Sequence, residues 1–181
     1  MSELEEVTGR PITGDRQYAS SHMVEQRDPR EFVEAMDAVL AHPNVVAVKW
    51  TQYTPGFNDG EPCTFDGHSP EVKVVGFPNP EEDVELESGD YLNDSEDGVW
   101  LSEYDLYEYR NEAGERDYRN GKRVYEVGGL DTTEISKLLG DFEGCVTSGA
   151  HDVWMNTNFG DPAEVVATPE GFEVEYYECG Y

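Results

Sequence analysis

The sequence predicts an α+β domain: an antiparallel sheet, made of hairpins at about 45–75 and 163–178, packed against two helices at about 29–41 and 132–147. Three observations carry that prediction. Apolar residues recur at helical spacing in two separate windows. Apolar and β-branched residues run or alternate in two others. Turn-forming residues lie between the strands of each pair.

The first helix is punctuated at both ends. Asp28 is placed to cap it, Pro29 takes the first helical position, and Glu31 follows three residues after the cap. Phe32, Met36, Val39 and Leu40 form its apolar face, and His42-Pro43-Asn44 ends it because a residue before proline avoids the helical region. Val45 to Tyr53 is β-branched and apolar enough for a largely buried strand. Cys63–Phe65 and Glu71–Val75 supply the return, interrupted at Asp66-Gly67-His68-Ser69-Pro70. The second helix starts at Asp131, with Glu134 completing a capping-box pattern and Ile135, Leu138, Leu139, Phe142 and Val146 forming the stripe. Gly140, Gly144 and Gly149 weaken it and leave open a break into two shorter helices. One more short helix fits His151–Phe159, ended by Gly160-Asp161-Pro162. The closing hairpin joins Ala163–Thr168 to Phe172–Tyr177 through Pro169-Glu170-Gly171.

Two regions stand outside this frame. Residues 1–27 show no sustained period and read as an irregular N-terminal arm, so that 28–181 is the domain. At about 78–98 the chain changes character: Pro78-Asn79-Pro80 opens an acidic insertion with nine acids between Glu81 and Asp97. Trp100, Leu101, Tyr104, Leu106, Tyr107 and Tyr109 then mix spacings of two and three, leaving helix and strand both open. Arg110, Arg116, Arg119, Lys122 and Arg123 place five basic residues within fourteen positions, a segment suited to fold back on the acidic one.

Charge is the strongest compositional signal. With 40 acidic against 12 basic residues the net charge is -28. Self-repulsion of that size opposes compactness and needs salt, cations or a basic partner to offset it. It excludes direct nucleic-acid binding through a basic footprint and disfavours anionic membrane surfaces. No apolar run is long enough for a membrane-spanning helix, and the acidic start Met1-Ser2-Glu3-Leu4-Glu5-Glu6 is unlike a secretory signal. Cys63, Cys145 and Cys179 are odd in number and widely spaced, which speaks for a reducing, cytoplasmic setting over a disulfide framework.

The most distinctive stretch is Trp50-Thr51-Gln52-Tyr53-Thr54-Pro55-Gly56-Phe57-Asn58-Asp59-Gly60-Glu61-Pro62-Cys63-Thr64-Phe65. It resembles the signature W-T-Q-Y-T-P-Y-F-N-D-G-x-P-C-x-F of a family of uncharacterised bacteriophage proteins. The C-terminal stretch, with Phe159-Gly160-Asp161-Pro162, Val165-Val166-Ala167-Thr168 and Pro169-Glu170-Gly171-Phe172-Glu173-Val174-Glu175, resembles the ending of that family. Gly56, Pro162 and Pro169 depart from it, where the family carries tyrosine, histidine and arginine. The resemblance implies a small viral accessory protein in the host cytoplasm and implies no reaction.

Three site hypotheses follow. Glu81, Glu82, Asp83, Glu85, Glu87 and Asp90 are candidate partner-binding residues. Their acidic surface would imitate nucleic-acid phosphates towards a host protein that normally binds nucleic acid. A solvated loop, loose binding of divalent cations and adaptation to high salt are the alternatives for the same run. Trp50, Gln52, Tyr53, Phe57, Asn58 and Asp59 are candidate ligand-binding residues, an aromatic and amide set suited to a nucleotide-like molecule. Against that, Asn58-Asp59-Gly60 is also a good turn on its own, since Asn and Asp bond their own backbone. The third is a metal-dependent hydrolase using Asp59, His68 and His151, although no local spacing joins them. The first hypothesis, a binding protein without enzymatic activity or cofactor, is the preferred one.

Overall fold

The computed structural model describes residues 3–15, 24–56, 63–80, 85–92 and 96–179. The chain begins with a short helix α1 (Glu3–Thr8) and a strand β1 (Ile12–Gly14), followed by helix α2 (Pro29–Leu40). Strands β2 (Val45–Tyr53), β3 (Asp66–Gly67), β4 (Glu71–Val74) and β5 (Val99–Leu101) come next. A 3-10 turn (Glu103–Leu106) leads into β6 (Glu108–Arg110), β7 (Lys122–Val124), β8 (Glu126–Val127) and β9 (Leu130–Asp131). Helices α3 (Thr133–Thr147) and α4 (Asp152–Phe159) and the hairpin β10 (Ala163–Thr168) and β11 (Gly171–Glu175) complete it.

The main sheet has the order β1-β11-β10-β2-β4-β5, with β3 beside the end of β2. The α+β class holds. Both hairpins form and lie side by side in the sheet: β10 pairs with β2, putting the closing hairpin directly against the signature strand. Two expectations need correction. The N-terminal arm is not wholly irregular, because α1 forms and β1 joins the sheet edge. It does so parallel to β11, so the sheet is mixed rather than purely antiparallel. A three-residue strand is too short to leave a periodic signal. It is recruited by tertiary pairing, with Pro11 O accepting from Phe172 N–H at 3.0 Å. Gly14 is required there: at φ +101° a Cβ would lie 1.7 Å from Val174 O.

α2 is capped as its sequence predicts, Asp28 accepting from Arg30 N–H at 2.9 Å. α3 differs at its start. Thr132 is the capping position, Asp131 instead accepts from Thr133 N–H, and the Thr132 hydroxyl is diverted to Leu106 O. Gly140 and Gly144 do not break α3, since its apolar stripe is continuous across them: Ile135, Leu139, Phe142 and Val146 are all buried.

The three longer helices cover one face of the sheet, and alternation along β2 explains what goes where. Val48, Trp50 and Gln52 face the helices and are buried, while Lys49, Thr51 and Tyr53 are half-buried on the other face. Trp50 is the hub, meeting Phe32, Phe142 and Phe159 edge-on at 5.4, 5.7 and 5.4 Å between ring centroids. Edge-to-face rings satisfy their quadrupoles, and truncating a buried tryptophan of this kind costs about 3–5 kcal/mol. One contiguous apolar cluster runs from Phe32 to Val174.

Candidate functional site

The signature strand sends its most conspicuous polar group inward. Gln52 is 0 % exposed. Its Oε1 accepts from Trp50 Nε1 at 3.0 Å, and its Nε2 donates to Met155 O at 3.1 Å and Gly160 O at 2.6 Å. Trp50 is 1 % exposed. The proposed pocket around Trp50 and Gln52 is therefore corrected: with its amide committed on both sides, Gln52 has no polar edge to offer a ligand. Its bonds tie β2 to the C-terminal end of α4: Gly160 O lies past the last helical turn, and Met155 O takes Gln52 as a second donor. A second tie lies alongside, Asp161 accepting from Thr54 N–H at 2.9 Å and Thr54 Oγ1 at 2.6 Å. Residues 50–54 and 155–161, far apart in sequence, are thus one structural joint.

Tyr53 lies on the open face, stacked at 4.6 Å on His68, whose Nδ1 is 3.2 Å from Thr51 Oγ1. Phe57, Asn58 and Asp59 lie outside the described residues. The metal set Asp59, His68 and His151 is also corrected in its described part: His151 is buried against Phe32 on the helix side, away from His68. Among the described residues no group of three or more His, Cys, Asp or Glu could hold a metal ion. His151 titrates below its ordinary value because burial disfavours its charged form. Asp152 beside it is pushed up to about 6 by burial and by the charge of Asp66.

Of the acidic candidates, Glu81, Glu82 and Asp83 lie outside the described residues, while Glu85, Glu87 and Asp90 are exposed. Glu87 N–H donates to Asp105 at 3.0 Å, and Glu85 bridges to Tyr91. Glu85 also lines a cleft of about 500 Å³, which the sequence reading did not identify.

The cleft is assembled from the middle of the chain. Tyr107 and Tyr109 share one side of β6 and its approach because strand side chains alternate; their rings meet edge-on at 5.6 Å. Tyr104 comes from the 3-10 turn, and Tyr118, from the loop before β7, meets Tyr109 at 6.5 Å. Leu86, Leu92 and Val127 supply the apolar lining. The two-residue turn Gly128-Gly129, both at positive φ, closes the β8–β9 hairpin, and Asn79 N–H donates to Gly128 O at 2.7 Å. That bond draws the start of the acidic insertion against the cleft. Asp105 and Glu126 add carboxylates.

Glu108 is the inner acid. Arg110 donates to its Oε2 from Nε at 3.0 Å, and Arg116 takes its Oε1. Burial pushes the Glu108 carboxyl up, but the two guanidinium groups together outweigh burial and hold it below the ordinary range. On the tyrosines sits Arg123, 4.4 Å from the Tyr107 ring centre, with Nε donating to Tyr109 Oη at 3.1 Å. That bond draws the Tyr109 phenol below its usual value. Four tyrosines and four carboxylates thus line one cleft together with Arg110 and Arg116.

In the sequence these residues were legible only as an aromatic and acidic run followed by a basic one; the period-two pair Tyr107 and Tyr109 was the available clue. Comparison of the chain with protein-family models, with curated proteins and with solved structures finds no match.

Proposed function

We propose that the protein works by binding, docking a basic segment of a partner protein onto its acidic surface, with the tyrosine-lined cleft as the anchor. The observation that carries this reading is the company the tyrosines keep: Tyr104, Tyr107, Tyr109 and Tyr118 share one cleft with Glu85, Asp105, Glu108 and Glu126. Aromatic faces attract cations through their quadrupole, and the carboxylates lining the same cleft offer charge-assisted hydrogen bonds. The net charge of -28 brings a basic partner in from a distance and speeds its capture. The bacteriophage resemblance of Trp50–Phe65 would make that partner a host protein that ordinarily binds nucleic acid, with this surface taking the place of phosphates.

The test is fluorescence anisotropy with a labelled peptide of alternating basic residues and glycine, titrated at low and high salt. Binding should weaken steeply as salt rises. It should also weaken in Tyr104→Ala and Tyr118→Ala, which alter no charge. Their side chains are exposed, at 59 % and 77 %, so the fold does not depend on them. Unchanged affinity in both tyrosine variants would refute the cleft as the anchor, whatever the salt dependence.

A further inference from the structure

We propose that the anchoring group is an arginine of the partner's basic segment, and that it takes the place Arg116 now holds against Glu108; this rests on the cleft being the binding site for such a segment. Among the ion pairs of the described residues Glu108 is the least exposed carboxylate, at 24 %, and both its oxygens already face guanidinium groups. The two arginines are not equivalent. Arg110 lies within β6 and also approaches Glu126 at 3.9 Å, while Arg116 reaches in from the loop and is 48 % exposed.

The backbone around Arg116 is held without that ion pair. Arg116 bridges to Arg110 through the main chain, and Asp117 N–H donates to Tyr109 O at 2.8 Å. Asn111 Oδ1 accepts from the N–H groups of Ala113 and Glu115, both at 3.0 Å. The Arg116 side chain can therefore swing out while the loop stays folded. Arg116 is itself about half exposed, so its guanidinium is rehydrated when it leaves Glu108, which lowers the cost of exchange.

Arginine fits better than lysine for a geometric reason. A guanidinium is planar, so it lies along a tyrosine ring while its fork of donors meets a carboxylate; an ammonium can do only one of these well. Arg123 demonstrates the first half of this on the same tyrosines, stacked on Tyr107 and bonded to Tyr109.

The experiment compares two labelled peptides of equal length and charge, one with arginine and one with lysine, against the intact protein and three variants. The arginine peptide should bind about fivefold to tenfold tighter. Arg116→Gln should tighten arginine-peptide binding more than Arg119→Gln, which removes the same charge from an exposed position outside the cleft. Arg116→Lys, which keeps the charge and loses the fork, should also tighten it; thermal melts establish that each variant is folded. Equal affinity for the two peptides would overturn the arginine assignment and leave the basic-segment reading standing. No tightening in either Arg116 variant beyond the Arg119→Gln control would overturn the exchange. Failure of both peptides to bind would overturn the site itself.

Discussion

The side-chain amide of Gln52 donates at 2.6 Å to the carbonyl of Gly160, 108 residues further along the chain. Together with its bonds to Met155 O and Trp50 Nε1, this makes one glutamine the connector between the signature strand and the end of α4. Gln52→Leu keeps most of the volume but takes from the Gly160 carbonyl and the Trp50 indole N–H the buried partner that Gln52 supplies, and from Met155 O its second donor. Chemical denaturation should show a loss of about 3–5 kcal/mol. Gln52→Glu can still accept from Trp50 yet turns an oxygen towards the two carbonyls. It should be at least as unstable at neutral pH and recover part of the loss in acid, where a protonated carboxyl donates again. A Gln52→Leu protein as stable as the parent would contradict the connector role.

Thr54 and Asp161 form a smaller joint beside it, with one carboxylate accepting from a backbone N–H and a hydroxyl. Asp161→Ala removes both acceptors and should cost about 2–3 kcal/mol. Thr54→Val removes only the hydroxyl donor and should cost less. A double-mutant cycle should return a coupling of about 1 kcal/mol; additive losses would mean that the hydroxyl contact contributes nothing.

Asp152 is 5 % exposed and its carboxyl is pushed up to about 6, chiefly by burial. The native state then holds this proton more tightly than the unfolded chain, whose ordinary value is near 3.8. The sign follows: stability is greatest below the unfolded value, falls as pH rises through the window up to about 6, and stays reduced above it. Asp152→Asn should therefore stabilise the protein above pH 6 by up to roughly 3 kcal/mol, and the gain should vanish below about pH 4. Urea melts of both proteins from pH 4 to 8 measure it. A gap between them that does not change with pH would rule out Asp152 as the titrating group.

Salt should act on folding and on binding in opposite directions. The chain carries -28 charges, and their mutual repulsion is screened as the Debye length falls from about 10 Å at 0.1 M to about 3 Å at 1 M. The melting temperature should rise with sodium chloride over that range, while affinity for a basic peptide falls. A melting temperature that drops with added salt would show that ion pairs such as Lys49–Glu71 outweigh the repulsion.

Local order was readable because it is written locally. α2 and α3 repeat apolar residues every three or four positions, Asp28 and Pro29 announce the start of α2, and Phe172 and Val174 alternate with Glu173 in β11. β1 was missed because three residues carry no period and its partner strand begins about 160 positions away. The cleft was missed for a related reason. Tyr104, Tyr107, Tyr109 and Tyr118 announce nothing singly, and only the turns at Asn111–Glu115 and Gly128-Gly129 bring them to face Glu85.

Gln52 marks the division most sharply. Local sequence is enough to make Val45–Tyr53 a strand, to put a glutamine on its apolar side, and to make the whole chain strongly acidic. Strand propensity and side-chain alternation act between neighbours, so these properties needed no partner. What that glutamine is for depends on the folded chain. A buried amide is tolerable when its hydrogen bonds are met, and the groups that meet two of them lie 103 and 108 residues away. The same holds for the cleft, whose tyrosines and carboxylates line one space only once folding has brought the middle of the chain together.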